Sequence, residues 1–385
     1  MQTLDILERL IAFPTVSRTP NRQLIAFVTS LLDAANISWT CIESPDGTRA
    51  NLFATVGPND QGGVLLSGHT DVVPVEGQAW QSDPFSMVSK DGKLYGRGCA
   101  DMKGFLASAL SAALRASRLE LATPLHLAFS YDEEIGCVGV RSLIEYLKAR
   151  TPKPRMCIVG EPTGMGIAVG HKGKTALRAV CTGRAGHSAM APLSLNALHL
   201  GADFLSGIRA LQAKLANSGL FEDGYEVTYS TLHVGKMSGG KALNIVPDKC
   251  ELDFEIRNIA ADDPNKLIAA LNEEAERLVA PFQTKFPQAS IEIEQYNSYP
   301  GLSTNPDAEI VRLLRDVTNY REDTFKVAFG TEAGLFDQRL GLPTAVCGPG
   351  FMAQGHKPDE YLAINQLEQC DRMMDRLLAR LVQGV

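Results

Sequence analysis

Short apolar runs alternate with amphipathic helical stretches along most of this chain, and that alternation is its tightest constraint. Residues 1–13 place Leu4, Leu7, Leu10 and Ile11 on one helical face, and Pro14 ends the pattern. Leu24, Phe27, Val28, Leu31 and Leu32 repeat the helical spacing. Strand-like runs follow at 37–42, 51–56 and 64–67. A helix over 103–116 precedes a strand over 125–130, and a helix around 140–148 precedes a strand over 156–159. The pattern predicts an α/β layer around a largely parallel mixed sheet, because parallel neighbours need a crossover long enough to hold a helix.

The rhythm changes at about residue 174. Strand (176–182), helix (193–215), strand (225–234), strand (250–256), helix (264–278) and strand (291–295) follow the β-α-β-β-α-β order of a ferredoxin-like α+β unit. The α/β pattern then resumes with helix 309–318, strand 344–347 and a closing helix over 364–381. The expected organisation is a discontinuous α/β domain, residues 1–173 and 298–385, with residues 174–297 inserted as a second domain.

Composition removes several classes of function. Hydrophobic residues make up 45% and charged residues 21%, the profile of a globular chain rather than a disordered one. Lys and Arg number 37 against 44 Asp and Glu, a net charge of −7, which denies the basic surface a nucleic-acid partner needs. No run approaches the roughly 18 apolar residues of a membrane span. The N-terminus carries Asp5 and Glu8 where an export signal is basic and then apolar, so a cytoplasmic protein is expected. None of the eight cysteines forms a CxxC pair, which fits reduced thiols rather than a disulfide framework.

Ligands of open α/β sheets bind beyond the carboxyl ends of the strands. VLLSGHTDVVP puts His69 and Asp71 at one such end, and LAFSYDEEIG puts Asp132, Glu133 and Glu134 at another. CIVGEPT adds Glu161, AVCGPG leads into FMAQGHKPDE with His356, and YGRGCADMKG sets Asp101 at a helix entrance. Singly, each has an ordinary explanation: Asp101 caps a helix, the acidic triplet is a solvated turn, a lone loop histidine is surface. Gathered at one edge of one sheet they form a site. Two histidines and several carboxylates, without cysteine, suit Zn²⁺, Co²⁺ or Mn²⁺. His69, Asp101, Glu134, Glu161 and His356 supply five ligands, with Glu133 left over. That count fits a two-metal hydrolase centre in which one carboxylate bridges ions about 3.5–4 Å apart. Asp71, two residues after His69, is within reach of its imidazole N–H.

The segments SGHTDVVP, GRGCADMKG, DEEIG, GEPT and GHKPDE occur in that order. On them the chain resembles the dinuclear zinc metallopeptidases and deacylases of the M20 family, over essentially its whole length. FGTEAGLF (residues 329–336) and the closing GHKPDEYL look more like the acetylornithine deacetylase branch than the succinyl-diaminopimelate desuccinylases. The resemblance implies two divalent ions per chain, Zn or Co with Mn possible. It implies His69 and Glu161 on one ion, Glu134 and His356 on the other, and Asp101 between them. Glu133 becomes the general base and Asp71 the partner that orients His69.

The inserted segment resembles the family's dimerisation or lid domain. There TGRAGHSAMAP supplies His187, which the family uses across a homodimer to polarise the scissile carbonyl. Asn244 in SGGKALNIVP and Arg257 in DFEIRNI match substrate-binding positions, with Arg257 suited to gripping a carboxylate. Glu332 in GTEAGLF is placed near the site by the same resemblance, where it would pair with a cationic side chain; its plainer reading is an acid at a helix start. The expected activity is hydrolysis of N2-acetyl-L-ornithine to L-ornithine and acetate, a step of arginine biosynthesis. The alternatives are the same chemistry on N-acetylcitrulline, another N-acyl amino acid, succinyl-diaminopimelate or a dipeptide. A non-catalytic two-domain binding protein is the rival from another class, and such a protein has no reason to hold two metal ions.

Overall fold

Burial follows the apolar spacing from the first helix onward. In the computed structural model, which describes residues 2–385, helix Thr3–Ile11 buries Ile6, Leu7, Leu10 and Ile11. Met1, the first residue of the helix expected over 1–13, lies outside the described residues. Leu4 is 45% exposed, because the buried stripe centres on Ile6–Leu7–Leu10 and Leu4 falls at its edge. Helix Arg22–Ala34 buries Leu24, Val28 and Leu32 of the expected face, leaves Phe27 and Leu31 half-buried, and also buries Ile25.

The chain divides into two compact units. One contains the residues up to Gly170, Leu302–Val327 and Thr331–Val385; the other contains His171–Gly301 and Ala328–Gly330.

The first unit is built on a mixed sheet. Its strand order is Ser38–Glu43, Ala50–Val56, Leu125–Ser130, Val64–His69, Met156–Val159, Thr344–Val346, Ala168–His171 and Leu302–Ser303, with Phe325–Val327 paired to Ala168–His171. The four central strands, from Leu125–Ser130 to Thr344–Val346, run parallel. They are wholly buried, which is why they read as continuous apolar runs rather than alternating ones. The register pairs His69 with Ser130, Ser67 with Val159, and Val159 with Val346, so these strands end nearly level. The two-to-four-residue strands Ala168–His171, Leu302–Ser303 and Phe325–Val327 were not expected from the sequence.

Helix Gly104–Ala116 packs against the closing helix Ile364–Gln383 and against Thr3–Ile11. Its small residues Ala107, Ala109, Ala112 and Ala113 are almost fully buried and let its neighbours approach closely. Phe105 on this helix lies over Gly160, where an added Cβ would sit 1.9 Å from the ring. Gly160→Ala is therefore expected to destabilise the unit by about 1–3 kcal/mol, the usual cost of overpacking a core. Urea unfolding checks this, and an unchanged midpoint would show that the ring yields freely.

The second unit is an antiparallel sheet in the order Thr231–Gly239, Lys249–Arg257, Lys174–Thr182, Ser290–Tyr299. Helices Ala197–Ser218 and Pro264–Gln283 pack on it, giving the ferredoxin-like arrangement. Cys250, Leu252, Phe254 and Ile256 alternate into its core from one strand, and Leu177, Ala179 and Cys181 from the next. The strand expected at 225–234 lies instead at Thr231–Gly239, with a register shift between Val234 and Lys236 that breaks the alternation. The helix expected from 193 begins at Ala197, because the Asn196 side chain accepts the Leu198 N–H and caps it there.

Candidate active site

The level ends of the four parallel strands gather most of the polar residues singled out from the sequence. His69 is the last residue of its strand and is 1% exposed. Its Nδ1 lies 2.9 Å from the Asp71 carbonyl oxygen. Its Nε2 lies 3.1 Å from Asp101 Oδ1 and 3.7 Å from Glu161 Oε1. Asp101 sits in the turn Cys99–Lys103 before helix Gly104–Ala116, with non-helical φ and ψ of −122° and 91°. Its other oxygen, Oδ2, lies 3.0 Å from His356 Nε2. His356 also contacts Glu134 Oε2 at 3.0 Å. One carboxylate thus faces a different imidazole with each of its oxygens.

Asp71 ties two of these strand ends together. Its carboxylate is 3.6 Å from His69 Nδ1, so the backbone carbonyl is the nearer partner of the imidazole. The carboxylate oxygens accept the N–H groups of Glu133 at 3.0 Å and Glu134 at 3.3 Å, and the Ser17 hydroxyl at 2.8 Å. Asp132, at a positive φ of 54°, accepts the Arg18 N–H at 2.6 Å and pairs with the Arg49 guanidinium. The DEE turn is therefore pinned from both sides, with Glu133 and Glu134 facing different neighbours.

Burial of so many acids shapes the electrostatics. Glu133 is pushed up to about 8, mainly by burial, and its Oε1 accepts the Cys137 thiol at 3.2 Å. Burial and the nearby Asp101 charge raise Glu134 to about 7. Glu161 is raised well above the usual range by burial and by Asp101. For Asp101 burial acts upward, but hydrogen bonds from His356 and His69 prevail and hold it below the usual carboxylate range. The contacts with Asp101 and Glu134 lift His356 to about 10.

The donor set fits divalent metal. Donor atoms of His69, Glu133 and Glu161 lie within 4.8 Å of one another, as do those of His69, Asp101 and Glu134. His69 Nδ1 is engaged by the Asp71 backbone, which leaves Nε2 directed at the carboxylates, as ligation through that nitrogen requires.

Glu332 lies directly before helix Ala333–Leu340 and is 1% exposed. Its carboxylate accepts the Ser130 hydroxyl and, at 3.3 Å, the Ser67 hydroxyl on two adjacent strands, and burial raises it to about 7. Sequence reasoning gave no role to Ser67, Ser130, Arg97 or Glu360, all of which touch this region. Glu360 closes GHKPDE, and an acid so near His356 is the signal the sequence offers for it.

The remaining predicted residues belong to the second unit. Gly186–His187 pairs with Ile245–Val246, which brings the exposed His187 beside the exposed Asn244. His187 Nδ1 accepts the Ala189 N–H at 3.2 Å, and the Asn244 carbonyl accepts the Ser188 N–H at 3.0 Å. Arg257 ends its strand half-buried, with Nε on Glu255 at 2.9 Å and Nη1 on the Tyr299 hydroxyl at 3.3 Å.

These features define a hydrolase of the metallopeptidase type, and the chain belongs to peptidase family M20/M25/M40, whose model matches residues 65–380. It is 32% identical to the acetylornithine deacetylase of Pasteurella multocida, over 99% of this chain and 98% of that one. It is equally similar, at 32%, to the acetylornithine deacetylase of Myxococcus xanthus, over 98% of this chain and 97% of the relative. Among solved structures, it matches an M20 family metallo-carboxypeptidase from Sulfolobus solfataricus with a TM-score of 0.78 at 20% identity, covering 99% of both chains. A dinuclear metal binding peptidase of the M20 family from Bacillus subtilis matches with a TM-score of 0.71 at 13% identity, covering 100% of this chain and 98% of that one. At such identities the structures establish the fold. No helix among the described residues is long and apolar enough to cross a membrane, and all eight cysteines are free.

Proposed function

We propose that this chain is a two-metal amidohydrolase of the cytoplasm that converts N2-acetyl-L-ornithine to L-ornithine and acetate. The observation that carries the metal chemistry is Asp101, whose two carboxylate oxygens each face a different histidine, as a bridging ligand needs. The substrate follows the full-length similarity to acetylornithine deacetylases. In this reading His69 and Glu161 would hold one ion, Glu134 and His356 the other, and Asp101 would be shared by both. Zinc or cobalt ions bound there supply an acidified water and a Lewis acid for the amide carbonyl.

The chain's own residues do the rest. Glu133, beside the ligands but free to exchange a proton, takes the proton of the attacking water and passes it to the leaving amine. Its carboxylate is buried beside the proposed ligands, within reach of a proton that must be taken up and passed on. Asp71 holds the Glu133 backbone N–H and fixes where that base stands. His187 donates to the developing oxyanion, and Arg257 with Asn244 binds the α-carboxylate end of the substrate.

Kinetics across N-acyl amino acids test the substrate. N2-acetylornithine is expected to lead in kcat/KM over N-acetylcitrulline, succinyl-diaminopimelate and dipeptides. Arg257→Ala should lower kcat/KM by roughly 1.5–3 kcal/mol, the scale of a hydrogen bond to a charged group. Equal efficiency on acetylornithine and on uncharged acetyl-amino acids would remove Glu332 as a partner for a cationic side chain.

The reading includes a homodimer in which His187 serves the partner's site. Mixing His187→Ala chains with Glu133→Ala chains should then restore activity, since a hybrid dimer holds one complete site. A mixture that stays inactive after proven subunit exchange refutes the shared site.

A further inference from the structure

Glu360 lies four residues beyond His356 and is 1% exposed. Its Oε1 accepts three backbone N–H groups from one turn: Gly98 at 3.1 Å, Ala100 at 3.0 Å and Asp101 at 3.1 Å. Its Oε2 accepts Arg97 Nη1 at 2.6 Å. Arg97 is itself 1% exposed and lies over the Trp80 ring, 5.0 Å from its centroid. Arg97 Nη1 also reaches the Lys357 carbonyl at 3.3 Å, and Nη2 donates to the Gln78 side chain. Gln78 in turn donates from Nε2 to the His356 carbonyl at 3.2 Å. The network thus begins on the main chain of Asp101 and ends on the main chain of His356.

A buried Arg–carboxylate pair is poor evidence for stability, since losing water costs about as much as the attraction returns. Its geometry is informative. Three N–H groups converge on one oxygen only if the turn holds a single shape, and Asp101 departs from helical φ and ψ within that turn. The loop bearing His356 has no strand or helix of its own between Val346 and Tyr361, so its position depends on such contacts.

We propose that Glu360 and Arg97 are positioning residues of the metal centre: they hold the Asp101 turn and the His356 loop at ligand spacing without touching an ion. The proposal rests on the two-metal reading above. It assigns to the final acid of GHKPDE a task distinct from ligation.

Co²⁺ alone is the probe. Metal-free wild type, Glu360→Gln, Glu360→Asp and Arg97→Lys are titrated with Co²⁺ by calorimetry and visible absorption, and the thermal unfolding of each metal-free chain is measured alongside. Wild type should bind two ions. Folded Glu360→Gln should bind Co²⁺ about 10–100-fold more weakly and with an altered visible spectrum, the usual cost of losing a group that supports a ligand. Glu360→Asp keeps the charge but falls short of the turn. Arg97→Lys keeps the charge but cannot span Glu360, Gln78 and the Lys357 carbonyl. Both should shift affinity in the same direction, and they decide the matter if Glu360→Gln does not fold. A purely structural role lowers the unfolding temperature but leaves the affinity and spectrum of the folded chain unchanged. That outcome in the folded variants overturns the positioning role while wild type still binds two ions. A wild type that binds no Co²⁺ overturns the metal reading and this proposal together.

Discussion

Glu133→Gln should leave an enzyme that keeps its metals and loses kcat by several orders of magnitude. A single acid–base group contributes about 10²–10⁴-fold, and Glu133 is assigned two transfers in one turnover. Glutamine preserves the shape, so the Cys137 thiol 3.2 Å from Oε1 keeps an acceptor and the turn pinned by Asp71 keeps its backbone. What is lost is the ability to take a proton. The adjacent Glu134 gives the contrast. It contacts His356 at 3.0 Å and is proposed as a ligand, so Glu134→Gln should weaken metal binding as well as turnover. Metal analysis beside steady-state kinetics separates the two residues. Equal metal loss in both variants would show that the division of labour is misassigned.

Removing the metal should abolish activity altogether, and Zn²⁺ or Co²⁺ should restore it. It should also lower stability. Asp101, Glu133 and Glu161 are buried close together beyond the strand ends with Glu134 half-buried beside them, and burial pushes Glu134 up to about 7 and Glu133 up to about 8. Two divalent ions bound there would offset the negative charge that burial disfavours. A ligand that binds only the folded chain adds about 4 kcal/mol at a thousandfold excess over its Kd. The chelated protein should therefore unfold at a distinctly lower temperature, and reloading should reverse the shift. Full activity with one ion per chain would remove the bridging role of Asp101. Full activity with none would remove the metal mechanism.

Much of this molecule was legible in its amino-acid order. The buried parallel strands announce themselves as continuous apolar runs, and residues 64–67, 125–130 and 156–159 were placed nearly to the residue. Side chains that follow such runs must emerge at one edge of the sheet, so His69, Glu133, Glu134 and Glu161 were foreseeable as neighbours. The ferredoxin-like order of the second unit was also legible, although its strand expected at 225–234 lies at Thr231–Gly239. Register and short-range phase were less visible. Sequence did not show the register shift in Thr231–Gly239, nor the short strands Ala168–His171, Leu302–Ser303 and Phe325–Val327.

Only the tertiary structure decided which groups hold the candidate ligands in place. Asp71 spends its carboxylate on the DEE turn more than on His69, and Glu332 is enclosed by the hydroxyls of Ser67 and Ser130. Glu360 and Arg97 connect a turn near residue 100 to a loop near residue 356, a separation over which no sequence period extends. Local order along a chain fixes where strands end and which residues follow them. It carries no information about which distant N–H a buried carboxylate will find, because that partner is chosen by the packing that excludes water from both.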